Sequence, residues 1–111
     1  LSPFASAGDP VQMWKCNING DVSEESVIDQ AGKWKKAASK LPGGGDMDVH
    51  VLFPVAVAAD GDGTDVQYVV SWGSFGDFGE FWDAYPGSDV AQMERETLTC
   101  HGSALWEADD I

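Results

Sequence analysis

Positive charge is the scarcest ingredient of this chain. Six Lys and Arg stand against 19 Asp and Glu, a formal net charge of −13 over 111 residues. Nucleic-acid binding draws its affinity from cations that neutralise phosphates, so DNA and RNA are disfavoured as partners, and an anionic membrane surface is disfavoured on the same ground. Four of the six cations (Lys33, Lys35, Lys36, Lys40) crowd into one short stretch. Near a helix C-terminus such residues offset its partial negative charge, and that reading is preferred to an anion patch. Strong acidity also suits solubility in a salty medium. No apolar run is long enough to span a membrane, and there is no internal repeat. Cysteine is scarce as well: Cys16 and Cys100 are the two present, with no CxxC spacing, which excludes a zinc ribbon or thioredoxin-like motif. No metal site is expected.

Apolar residues make up 43% of the chain, with five Trp and five Phe, enough for a packed core despite the acidity. One domain over residues 8–111 is the expectation. Ala5-Ser6-Ala7 is a small-x-small tripeptide of the kind signal peptidases cut after, so residues 1–7 read as a signal-peptide remnant or a disordered N-terminus with no part in the fold. A disulfide would agree with this, since disulfides persist in oxidising compartments. The localisation expected is periplasmic or secreted.

Residues 11–18 carry the β-favouring run VQMWKCNI between Pro10 and Asn19-Gly20-Asp21 and read as a first strand. Ser23 is a good N-cap, and Val27, Ile28, Ala31, Trp34, Ala38 and Leu41 recur at helical spacing, predicting a helix over 24–41 that Pro42-Gly43-Gly44-Gly45 ends. Met47, Val49, Val51, Phe53 and Val55 alternate through a second strand over 47–57, which Pro54 demotes to a sheet edge. Val66, Tyr68, Val70 and Trp72 alternate in a third, paired with the second as a hairpin. A helix over 76–97 is expected to break at Pro86-Gly87, and a last strand covers 103–108.

The order β-α-β-β-α-β is the α+β, ferredoxin-like split unit: a four-stranded antiparallel sheet of order 4-1-3-2 with two helices on one face. In that order the fourth strand begins near Cys100 beside the first strand's end near Cys16. A disulfide follows, with Cα atoms about 4.4–6.8 Å apart.

The sheet face turned from the helices should be polar in a lone domain, yet it carries Leu52, Ala56 and Val69 around His50 and Ser71. Whether Trp14, Cys16 and Ile18 or Val11 and Met13 face the helices is left open by the pattern. A half-apolar open face asks for a partner. In length, element order and the aromatic-rich FGDFGEFWDAY segment, residues 11–108 resemble the dimeric α+β barrel families. These pack two such sheets face to face and include antibiotic-biosynthesis-type monooxygenases and haem-degrading enzymes. The resemblance implies a homodimer through the open sheet face. It is topological, with no motif matched residue by residue, so it carries over no catalytic residue.

Among candidate site residues, His50 falls on the inter-sheet face with Asp48, where an imidazole can act as acid, base or ligand; a lone strand His is more often a surface or interface residue. His101 follows Cys100 in a Cys-His-Gly turn, but a disulfide would remove the thiol. Asp60-Gly61-Asp62-Gly63-Thr64-Asp65 has calcium-loop carboxylates without the EF-hand offsets, and a Gly/Asp turn explains it better. Trp34, Tyr68, Trp72, Phe78, Phe81, Trp82 and Tyr85 are core residues first, and the lining of an apolar pocket second. Asn17, Tyr68, Trp72 and Tyr85 are the candidate polar handles.

Three functions remain open. The first is an exported homodimer binding a small apolar ligand between sheet and helices, or between sheets, through Trp34, His50, Tyr68, Trp72, Phe78, Trp82 and Tyr85. The second is a monooxygenase-type or haem-handling enzyme with His50 as its proton-handling or ligating residue. The third is a structural or partner-binding protein. No cofactor is expected, haem belonging to the second reading alone.

Overall fold

The computed structural model describes residues 8–57, 61 and 63–111; the LSPFASA stretch, and Asp60 and Asp62 of the acidic loop, lie outside the described residues. Strand β1 (Asp9–Ile18) leads to helix α1 (Glu24–Ala38), strands β2 (Asp48–Leu52) and β3 (Val66–Ser71) and helix α2 (Phe75–Ala84). A single-turn helix α3 (Val90–Met93), a 3-10 turn at Glu94–Glu96 and strand β4 (Leu98–Ala108) complete the order.

Local chemistry sets the helix ends. Ser23 Oγ accepts from the Ser26 N–H at 3.1 Å, and Glu24 and Glu25 in the first turn with Lys35 and Lys36 in the last complement the helix dipole. Helix α1 stops at Ala38, short of the expected Leu41, because Ser39 caps it and the Leu41 N–H closes a tight turn on the Ala38 carbonyl at 3.0 Å. Ser74 Oγ accepts from the Asp77 N–H at 3.0 Å and opens α2. The second helical segment is divided as expected: the chain turns at Pro86-Gly87, where Gly87 takes a φ of 81°, a left-handed conformation that glycine reaches without a Cβ clash.

The sheet order is β2-β3-β1-β4, all neighbours antiparallel, which is 4-1-3-2 read from the other edge. Two strand boundaries differ from the sequence expectation. β2 ends at Leu52 instead of running to residue 57, since Pro54 has no N–H for a ladder, and Val55 beyond it is fully exposed. β4 begins at Leu98 instead of residue 103, so the Cys-His-Gly stretch lies within a strand and is not a turn. Its pairing moves from Lys15↔Gly102 to Cys16↔Cys100, which leaves His101 as the extra residue of a β-bulge.

Cys16 and Cys100 form a disulfide. Their Cα atoms are 3.9 Å apart, closer than the expected range, because the two residues oppose each other directly on neighbouring strands. Alternation along β3 buries Val66, Tyr68 and Val70, and their cross-strand partners on β1 are Cys16, Trp14 and Gln12. Val27, Ala31, Trp34 and Ala38 of α1 and Phe81 of α2 join the same core, so both long helices cover one face. Trp14 and Cys16 therefore face the helices.

The other face carries Val11, Met13, Val69, Leu52, Ala104 and Trp106 among His50, Ser71, Gln67 and Lys15. Trp106 on this face is 59% exposed. Beyond Leu98 every residue of β4 is exposed on both faces. Its helix-side residues Ser103 and Leu105, opposite Trp14 and Gln12, form an uncovered strip of sheet beside α2.

Candidate functional site

The helix side of the sheet gathers eight of the sequence's twelve aromatic side chains into one set of ring contacts. Tyr68 stands on β3 because alternation points it there, and Trp34 of α1 meets it edge-on at 5.5 Å between ring centroids. From α2, Phe78, Phe81 and Trp82 project at helical spacing, and Tyr85 caps that helix. Phe81 stacks on Tyr85 at 5.0 Å, and Trp72, just past β3, meets Phe78 edge-on at 4.8 Å and Phe81 at 5.4 Å. Trp34, Tyr68, Trp72, Phe81 and Tyr85 are buried, whereas Trp14, Phe78 and Trp82 are partly exposed where the cluster meets the strip along β4.

Polar atoms inside this cluster are few, and their partners are specific. The Trp34 Nε1–H donates to Tyr85 Oη at 3.2 Å, tying α1 to the end of α2 inside the core. At the rim the Trp82 Nε1–H donates to Gln12 Oε1 at 3.0 Å, fixing the indole plane against the sheet. Trp72 differs. Its backbone N–H donates to the Pro10 carbonyl, but its indole Nε1–H is buried with no acceptor among the described residues. An unmet buried donor costs about 1–3 kcal/mol, and such groups in native proteins ask for a reason. A ligand atom that accepts from this N–H is one.

Six of the seven candidate ligand-binding residues, Trp34, Tyr68, Trp72, Phe78, Trp82 and Tyr85, are thus brought together, and His50 is not. It is exposed on the opposite face of the sheet, on edge strand β2 opposite Val69, with Asp48 two residues away on the same face. Asn17 lies outside the cluster too, its Nδ2 donating to the Gly63 carbonyl at 2.9 Å. Asp65 accepts from the Ile18 N–H at 3.1 Å, so this carboxylate ties the acidic loop to β1. Among the described residues no group of three or more His, Cys, Asp or Glu side chains is placed to hold a metal ion. His50 and His101 are both solvent-exposed, one on an edge strand and one in a bulge. Gln12 and Trp14 were missed as site residues. Cys16 shares their side of β1, and period-two counting back from a disulfide-bonded, core-facing Cys16 would have found both.

No family model and no curated protein matches the sequence. Solved structures do. SnoaB, a cofactor-independent oxygenase from Streptomyces nogalater, superposes with a TM-score of 0.57 over 95% of this chain and 97% of its own, at 16% identity. The fold is the one SnoaB has. Chlorite dismutase from Candidatus Nitrospira defluvii matches with a TM-score of 0.52 at 16% identity, covering 97% of this chain. The chain spans 43% of the length of that protein. Both are dimeric α+β barrel proteins of ferredoxin-like architecture, the fold read from the element order. At these identities the likeness is one of fold, and the chemistry has to be argued from the site.

Proposed function

We propose that this protein is a homodimer that binds a small, flat, largely apolar molecule against the aromatic cluster between helices and sheet, without a resident cofactor. The observation that carries the reading is the buried Trp72 Nε1–H with no acceptor among the described residues, set against Phe78 and Phe81. Such surroundings favour a ring system by edge and face contacts, and the lone donor favours one carbonyl or phenolate oxygen on it. The strip along β4, flanked by Trp14, Trp82 and Leu105, is the entry. The open sheet face, with Val11, Met13, Val69, Ala104 and Trp106, is the surface for the second copy, in keeping with the dimeric architecture of the fold's other members. The disulfide supports an extracellular or periplasmic location.

A second reading gives the same site an oxygenase activity, favoured by the match with SnoaB over nearly the whole of both chains. Without a cofactor, the substrate itself must supply the electrons to dioxygen. An electron-rich phenol or enol that ionises on binding meets that need. A donor at the developing oxyanion stabilises it in a water-poor setting, the part open to Trp72 Nε1.

Screening flat oxygenated aromatics by thermal shift and tryptophan fluorescence tests the first reading, with Trp72→Phe as the variant. A ligand that raises the melting temperature of the parent but not of Trp72→Phe supports it; equal shifts for both would remove Trp72 from the site. Oxygen uptake with the ligands so found tests the second, and no uptake with any of them would leave binding alone. A haem titration read at the Soret band is the control for the haem-handling alternative, and no shift is expected.

A further inference from the structure

On the far side of the domain from the β4 strip, α1 and edge strand β2 enclose an open trough of about 460 Å³. That volume falls in the range of about 300–1,000 Å³ typical of small-molecule sites. Its walls are apolar: Ile28 and Ala31 on α1 face Val49, Val51 and Phe53 on and just after β2. Ile28 is 53% exposed there, an apolar side chain turned to water beside other apolar side chains. Gly32 widens the trough, for a Cβ built on it would meet nothing within 4 Å.

The rim has a different character. Lys35 and His50 stand at the edge of the trough, and Lys35 comes from the stretch that holds four of the chain's six cations. Asp48 is the neighbouring carboxylate, with its Oδ1 3.8 Å from Lys35 Nζ, too long for a charge-assisted hydrogen bond. An ammonium has three donors, and a single distant carboxylate leaves it able to hold another anion. Lys35 is the one cation lining this apolar trough, in a chain with a net charge of −13, and a cation at an apolar rim selects for a ligand with an apolar body and an anionic head.

We propose that the trough between α1 and β2 binds an amphipathic carboxylate, its hydrocarbon chain along Ile28, Val49, Val51 and Phe53 and its head at Lys35. The site is separate from the aromatic cluster and does not depend on the function assigned there. Dodecanoate below its micellar concentration is the probe, followed by calorimetry and by methyl NMR of Ile28, Val49 and Val51. Saturable binding is expected, strengthening roughly two- to fourfold per methylene from octanoate to dodecanoate, as buried hydrocarbon requires. Lys35→Gln weakens it about three- to tenfold, the range for a part-exposed charged contact. Gly32→Leu fills the trough and weakens binding more than about tenfold without lowering the melting temperature, since Leu is the better helix former. Four results each overturn the proposal: no saturable binding, dodecyltrimethylammonium binding as tightly as dodecanoate, undiminished binding by Gly32→Leu, or dodecanoate shifting the Trp34 and Trp72 indole signals instead of the trough methyls.

Discussion

Removing the disulfide through the paired substitutions Cys16→Ala and Cys100→Ala tests how β4 is held. The bond closes a loop of 84 residues, and in the chain-entropy model a loop of that size restrains the unfolded state by about 4.5 kcal/mol. For a domain of this length each kcal/mol is worth about 3–5 °C, so the melting temperature should fall by roughly 14–22 °C. The native side of the balance adds little at Cys100, which is exposed, and somewhat more at Cys16, which is fully buried beside Val66. The loss should also be uneven. From Thr99 to Ala108 β4 is exposed on both faces and rests on β1 through its ladder, so without the covalent tie it should open before the rest of the sheet. Calorimetry gives the total, and amide exchange gives the distribution. A fall of less than about 5 °C would refute the entropic estimate. Amides of β4 that stay as protected as those of β3 in the double variant would refute the view that the bond is what secures the strand.

Phe81→Ala should cost about 3–5 kcal/mol, measured by denaturant unfolding, because Phe81 is buried among the rings of Trp34, Trp72, Trp82 and Tyr85 and its loss leaves a cavity between them. Raising sodium chloride about one-hundredfold, from about 10 mM to about 1 M, should raise the melting temperature by screening repulsion among 19 acidic side chains; a flat or falling profile would show that this repulsion is not limiting.

The comparison of sequence and structure is most informative at three residues. Pro54 carried enough chemistry to place β2 at a sheet edge, because a missing N–H is a local property, but that the strand stops as early as Leu52, across from Gln67, is seen only in its pairing with β3. Trp14 was ambiguous for the opposite reason. Both faces of β1 carry apolar residues, so alternation alone had no polar side to point outward, and the pairing of Trp14 with Tyr68 decided it. His50 was legible as a residue of the open face, since parity follows from period two, and the separation of that face from the aromatic cluster follows from the sheet's thickness, which no one-dimensional pattern contains.

What the sequence by itself determined is what short-range chemistry controls: the β-α-β-β-α-β order from periodicity and caps, the break at Pro86-Gly87, the acidic surface, and the pairing of Cys16 with Cys100 once the order was known. Tertiary structure alone decided which aromatic rings close on one another, that the Trp72 indole has no acceptor among the described residues, that β4 beyond Leu98 is bare on both sides, and that Lys35 stands at the rim of an apolar trough. These depend on distances between residues far apart in the chain. Packing sets such distances, and it answers to the volumes of all the side chains together.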